Sequence, residues 1–316
     1  MKLLKVHGSM NSFFILDEKP GKLTPAQLET LRTSLCNGEG IYDCDGILLV
    51  SEADNSKAVA RMTVVNKDGS IASMCGNGLR TVARYLSEET GLDEFYAETP
   101  KALLLCKKEE DLADGVPAFS VEISPISFDL ASLPMDYRFE GTRFINQEMP
   151  ELSHDLTYSA LSVPNPHLIS FTTLDDIHDT EFEKVASYVN SDEDTIFPDG
   201  VNVTYAAELG PNKIFAKTYE RGVGFTNACG TAMSATSLIY TLLFGEESTA
   251  VVEVHNPGGM VKVAVDADLP ALRLIGNATF THEIKFEDLF DLATYKTTET
   301  NEQIAYDKFI ESLKND

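Results

Sequence analysis

With 43% hydrophobic side chains over 316 residues, the chain can bury a sizeable core, and its length suits two domains of roughly 150 residues better than one. Its 50 acidic and 25 basic side chains leave a formal net charge of −25; that field repels phosphate backbones and anionic membranes, so neither nucleic acid nor membrane is an expected partner, and the acidity reads as solubility. No apolar run approaches the roughly 18 residues of a membrane span, and five cysteines without a CxxC argue against a disulfide framework or structural zinc site and for a reducing cytoplasm.

The opening "MKLLKVHGSMNSFFILDE" is broken by His7, Gly8 and Asn11 and lacks a small-residue cleavage site, so it reads as a first strand and not as a signal peptide. "LTPAQLETLRTSLCN" follows with Thr24, Pro25 at the first helical position and Gln27 at capping-box spacing, which predicts a helix. Next come "DCDGILLV" and the strand-like "RMTVVN", ending on Asn66; then "SMCGNGLRTVARYL" sets Cys75 in a small-residue loop that runs into an amphipathic helix. In the second half "VPNPHLISF" carries Asn165, "DTEFEKVASYVN" offers Thr180 and Glu183 as a second cap, and "FPDGVNVTY" repeats the Asp-Gly pair. "IFAKTYE" ends on Glu220, and "NACGTAMSATSLIY" again heads a helix with a cysteine, Cys229. Short alternating runs such as "KAVARMTVV" and "MVKVAV" predict mixed, mostly antiparallel strands.

These landmarks recur at one offset. Cys75 and Cys229 are 154 residues apart, and so are Asn66 and Glu220, Gly46 and Gly200, and Asn11 and Asn165, which points to a duplicated unit with no net insertion. Beyond about residue 284 the repeat ends; "NEQIAYDKFIESLKND" predicts an added surface helix with Ala305, Phe309, Ile310 and Leu313 on one face.

A helix start presents unpaired N–H groups and partial positive charge, which favour a thiolate on an adjacent cysteine and can cradle a carboxylate. Gly76 and Gly230 follow the two cysteines and leave room for a ligand to approach the backbone. If two such halves face each other, a carboxylate held between them has a thiol on either side of its α-carbon. One thiolate then removes the α-proton while the opposite thiol delivers a proton, the N–H groups stabilise the developing charge, and neither a metal nor a cofactor is demanded. Cys36, Cys44 and Cys106 read as inert core residues.

The motifs "HGSMNSFFILD", "DGILLV", "NKDGSIASMCGNGLR", "VPNPH", "DGVNV", "YERGVGFTNACGTA" and "NPGGMVKV" together make the chain resemble the diaminopimelate epimerases, over nearly its whole length to about residue 284. Asn77 stands where the related proline racemases typically carry histidine. The resemblance implies an α+β fold of two pseudo-symmetric domains, each a curved, mostly antiparallel sheet wrapped around a central helix. It implies domains at 1–125 and 126–275, a strand near 276–286 returning to the first domain, and a homodimer; the added helical tail at 287–316 has no counterpart in the shorter family members and is read from the residues alone. It further implies that Cys75 and Cys229 are the acid/base thiols and that His167 and Glu220 support them. Gly76, Asn77, Gly230 and Thr231 would hold the reacting carboxylate, while Asn11, Asn66, Asn165, Asn202, Glu220 and Arg221 would grip the rest of the substrate. A second zwitterionic head suits that last set: a planar cation for its carboxylate, an acceptor for its ammonium and amides for direction. Ser12, Thr81, Phe225 and Ala232 depart from the family's usual residues. The expected reaction is interconversion of LL- and meso-diaminopimelate. The rivals are a racemase of another amino acid of histidine or proline type, a cysteine-pair redox protein, and a binding module, which would need neither thiol.

Overall fold

Strand β1 (Lys2–Gly8) turns back as β2 (Asn11–Asp17) in an antiparallel hairpin that registers Gly8 with Asn11. Both strands are apolar on both faces and buried on both, as "KLLKV" and "FFIL" require. The computed structural model of the chain describes residues 2–19, 21–72, 74–268 and 271–313, and divides into two compact units, Met1–Glu122 with Ile275–Asp316, and Ile123–Leu274.

In the first unit, α1 (Pro25–Leu35) begins with the expected capping box between Thr24 and Gln27. β3 (Gly46–Ser51) runs parallel to β2; β4 (Ala58–Asn66) returns antiparallel to β3 and pairs at its end with β5 (Ile71–Ala72). α2 (Gly76–Thr90) is buried at every residue from Gly76 to Ser87 and ends on Gly91, whose left-handed backbone suits a residue without Cβ. β6 (Glu94–Glu98) then joins β4 in parallel, followed by antiparallel β7 (Leu103–Lys108) and β8 (Ala118–Ile123). Because α2 packs against β1, β2, β3, β4 and β7, the sheet wraps it.

The second unit repeats this plan. After β9 (Gln147–Met149), β10 (Ser153–Ser162) pairs antiparallel with β11 (Pro166–Phe171). Two short helices follow, α3 (Leu174–His178) and α4 (Thr180–Tyr188), and β12 (Asn202–Gly210) lies parallel to β11. β13 (Lys213–Glu220) is antiparallel to β12 and to β14 (Gly224–Thr226). α5 (Gly230–Phe244) is buried from Ala232 through Thr241, as a helix apolar all round must be. β15 (Thr249–Asn256) joins β13 in parallel, and β16 (Gly259–Asp266) returns antiparallel. The order and sense of pairing in β10–β11–β12–β13–β15–β16 are those of β1–β2–β3–β4–β6–β7.

Two expectations need correction. Thr180 does not cap α4: Asp179 does, its carboxylate accepting from Glu181 N–H, and a separate capping box on Thr173 and Asp176 starts α3. The offset is not constant through the strands either. Ile47 pairs with Val65, but Tyr219 pairs with Val203, two residues beyond the position the offset assigns. The extra length is taken up before β12, where Asn190 Oδ1 accepts from Val201 N–H and Gly200 adopts a left-handed backbone.

The chain then passes through β17 (Ala271–Asn277) to β18 (Thr279–Lys285), which pairs antiparallel with β1, and to β19 (Lys296–Glu299) on the edge of β18. α6 (Glu302–Leu313) closes it. Its buried face centres on Tyr306 with Phe309; Ala305, Ile310 and Leu313 are only half-buried. Tyr306 is wholly buried, its ring 4.8 Å from that of His7, and Glu302 forms a two-pronged ion pair with Arg84 of α2 at 2.6 and 2.7 Å.

Candidate active site

Each unit places a cysteine at the same structural point. Cys75 and Cys229 are the N-cap residues of α2 and α5, both with extended backbone, and each heads a helix of 15 residues.

In the first unit, Cys75 Sγ accepts from Gly78 N–H at 3.3 Å and lies 3.6 Å from Asn11 Oδ1. Asn11 is held by Asp45, whose carboxylate accepts from Asn11 Nδ2 at 2.6 Å and from Ser12 N–H at 2.8 Å. Asp45 belongs to the Asp-Gly pair whose sequence signals only a turn, so its part in the site comes from the fold. Gly76 and Asn77 are buried in the first turn of α2. Asn66 lies opposite Gly46, the residue after Asp45, at the end of β4, and donates to Ser70 Oγ at 2.9 Å.

The turn that carries Asn11 is strained. Ser9 and Met10 have φ of 52° and 64°, values that side chains with a Cβ seldom adopt and that a tight hairpin normally gives to Asn-Gly. Buried side chains hold it. Ser9 N–H donates to Asn277 Oδ1 at 2.8 Å, Met10 N–H to His7 Nδ1 at 3.2 Å, and Arg80 Nη2 to Ser9 Oγ at 3.0 Å. Gly8 lets the turn approach the helix start, since a Cβ there would meet Asn77 O at 2.6 Å. Arg80 is wholly buried one turn beyond Cys75; burial pulls its guanidinium down to about 10, against the attraction of Tyr306 and Cys75, so it stays charged at neutral pH. His7, Arg80 and Asn277 support the site and carried no sequence signal, because their partners lie far along the chain.

In the second unit, Cys229 Sγ is 3.4 Å from Thr231 Oγ1. Burial pushes its thiol up, and the neighbouring Glu220 carboxylate pushes it further, outweighing the bonds from Thr231 and Ala232 N–H. The helix start therefore does not make Cys229 a resting thiolate, contrary to the local expectation. Glu220 is steadied by Thr226 Oγ1, donating at 2.6 Å. Arg221 N–H donates to Asn202 Oδ1 and its Nη1 to Asp199 O, both at 3.0 Å, while its side chain stays exposed. Asn202 lies opposite His167 in the β11–β12 ladder. His167 Nε2 donates to Asn165 Oδ1 at 2.9 Å; burial, then Arg221, lowers its pKa to about 3, so its ring is neutral. Asn202 Nδ2 and His167 Nδ1 are buried without a hydrogen-bond partner among the described residues, a state that native proteins usually reserve for a ligand or water. Gly230 and Thr231 are half-buried at the mouth of α5. Of the departures, Ala232 is buried, while Phe225 packs edge-on against Phe182 and Tyr219 beneath Lys217 Nζ.

The sequence profile described as "Diaminopimelate epimerase" matches residues 3–114 and 159–281. The chain is 46% identical to the diaminopimelate epimerase of Lactiplantibacillus plantarum, covering 99% of this chain and 98% of that one. Among solved structures it is similar to a phenazine biosynthesis protein of the PhzF family from Bacillus anthracis, with TM-score 0.62, 15% identity and coverage of 90% and 97%. It is also similar to a hydroxyproline epimerase from Agrobacterium vitis, with TM-score 0.56, 15% identity and coverage of 93% of each chain. At such identities the last two likenesses speak for the fold alone. The profile covers most of both units and the identity extends over nearly the full length, so the chain belongs to the diaminopimelate epimerase family.

Proposed function

We propose that the chain is an isomerase that interconverts LL- and meso-diaminopimelate by two-base proton transfer at the α-carbon, with Cys75 and Cys229 as the acid/base thiols and no cofactor. The observation that carries this reading is the repeated construction of the two helix starts, each headed by an extended cysteine and followed by glycine. Inversion at carbon needs a proton removed from one face and supplied to the other, and two such starts provide two thiols with N–H groups for the carboxylate. Cys229 begins protonated, ready to donate, with the Glu220 carboxylate beside it holding the proton on sulfur. Gly76, Asn77, Gly230 and Thr231 hold the reacting carboxylate. Arg221, with one nitrogen tied to Asp199 and the rest of its fork exposed, binds the distal carboxylate, with Asn11, Asn66, Asn165 and Asn202 setting direction. The unpartnered amide of Asn202 supports that role. We read residues 1–125 with the strand near 276–286, and 126–275, as the two epimerase halves, residues 287–316 as an added tail that carries β19 as well as α6 and so is only partly helical, and the active form as a homodimer in the cytoplasm; among the described residues no helix is long and apolar enough to cross a membrane.

The test is deuterium exchange at the α-carbon, with reductant present and no added cofactor, over a panel of amino acids. Diaminopimelate should exchange and epimerise, and Cys75→Ser or Cys229→Ser should each lower turnover by about 10²-fold or more. Full turnover by either variant, or exchange of proline or histidine in place of diaminopimelate, would overturn the reading.

A further inference from the structure

Cys36 and Cys44, which the sequence leaves as inert core residues, are in contact. Cys36 closes α1 as its C-cap residue, and Cys44 stands two residues before β3. Their sulfur atoms are 2.9 Å apart and share a hydrogen bond, in side chains 6% and 4% exposed. The chain between them is a short loop whose Gly38 and Gly40 adopt left-handed backbone, which reverses its direction and returns Cys44 to Cys36. That loop is exposed from residue 37 to 40, so a small molecule needs only a local opening to reach the sulfurs. A cation stands by: Lys5 of β1, itself buried, donates to Asp43 O at 2.7 Å, and its charge is felt by both sulfurs. Cys44 Sγ also donates to Leu35 O at 3.5 Å; the contact with Cys36, helped by Lys5, lowers the Cys44 thiol against burial, and the same contact, with burial, raises Cys36. Each sulfur thus has its reaction partner already at its side.

We infer that Cys36 and Cys44 form a redox-active dithiol, a site oxidised by hydroperoxides that is separate from the cysteines heading α2 and α5. The Cys44 thiolate attacks one peroxide oxygen; the O–O bond breaks, Cys44 becomes a sulfenic acid, and the other oxygen leaves as water or alcohol after taking up a proton. The Cys36 thiol then attacks the Cys44 sulfur; the S–S bond forms, the S–O bond breaks, and the hydroxyl leaves as water with the Cys36 proton. The two sulfurs lose two electrons in all and the peroxide gains them. Ring closure is favoured because the loop is short and both sulfurs are already adjacent.

The test uses the full chain carrying Cys75→Ser and Cys229→Ser, which leaves Cys36, Cys44 and Cys106. After reduction and removal of reductant, the protein is titrated with hydrogen peroxide, denatured, alkylated and mapped without reduction. Two of the three thiols should disappear together, and the peptides bearing Cys36 and Cys44 should be joined, lighter by two hydrogens and separable by dithiothreitol, with Cys106 alkylated. The wild-type chain, mapped in parallel, should carry the same link, which guards against a folding defect in the doubly substituted chain. Adding Cys36→Ser should stall oxidation at a Cys44 sulfenic acid that dimedone captures. Three unreacted thiols in the substituted chain and no Cys36–Cys44 link in the wild type would overturn the inference, as would a link through Cys106 or sulfinic acids formed without any link.

Discussion

Asn277→Ala tests whether the strained turn before Asn11 is held from behind. The Asn277 side chain is wholly buried; its Oδ1 accepts from Ser9 N–H at 2.8 Å, and its Nδ2 donates to Thr279 Oγ1 at 2.8 Å and to His7 O at 3.3 Å. Truncation leaves the Ser9 N–H buried without its acceptor, which costs about 1–3 kcal/mol, and opens a small polar cavity costing about 1 kcal/mol more. Loss of the His7 contact brings the expected total to about 3–5 kcal/mol. Relaxation of the two left-handed residues returns part of this, at about 1 kcal/mol each, but only by letting the turn leave its position. Stability therefore falls least when activity falls most, because Asn11 moves with the turn away from Cys75. The chain has no tryptophan, so urea unfolding is followed by circular dichroism, and kcat/KM by α-proton exchange below the unfolding transition. We expect at least a tenfold loss in kcat/KM together with the loss in stability, and a smaller effect on both from Asn277→Asp, which keeps the acceptor. A variant within about 1 kcal/mol of wild type and equally active would refute the reasoning.

Other outcomes follow from the same geometry. Arg221→Lys keeps the charge but loses the planar fork, and kcat/KM for diaminopimelate should fall by about 10²-fold with KM raised; an unchanged KM would remove Arg221 from the distal site. Glu302→Gln breaks the pair with Arg84, whose side chains are 22% and 10% exposed, and should cost about 2–3 kcal/mol, roughly 3–5 °C in Tm. A shift below about 2 °C would mean that solvent already screens the pair. His7 and His167 are held neutral by burial, with folded values of about 4 and about 3 against 6.5. Their contribution is complete above 6.5 and is lost as pH falls towards 4 and then 3, because the unfolded chain takes up those protons first. Each gives a slope of about 1.4 kcal/mol per pH unit in that window, and His167→Asn should remove one share; a profile flat from pH 7 to 4.5 would contradict this.

What could be read in advance was local. Thr24, Pro25 and Gln27 determine a helix start through residues three apart, and Cys75 and Cys229 announce theirs through the glycines and apolar faces beside them. Thr180 misled because Asp179, one residue earlier, competes for the same N–H groups as a stronger cap. The slip at β12 was hidden because a constant offset constrains chain distance and not strand register, which tertiary pairing decides. The thiol of Cys229 defied the helix-start argument for the same reason: Glu220 and burial reach it through the fold. Tyr306 against His7, Asn277 behind Ser9, and Cys36 against Cys44 are contacts between residues whose own neighbourhoods give no hint of them.

The edge of β1 is completed by β18, and its turn is gripped by Asn277. Residues 2–17 therefore wait for residues 277–285, which a ribosome makes about 260 residues later. During synthesis the stretch 123–274, contiguous in the chain, can settle first, while the part bearing Cys75 stays unfinished until residues 275–285 have emerged. A nascent or truncated chain stopped before residue 275 should accordingly lack a formed Cys75 site and draw on chaperones until β18 is supplied.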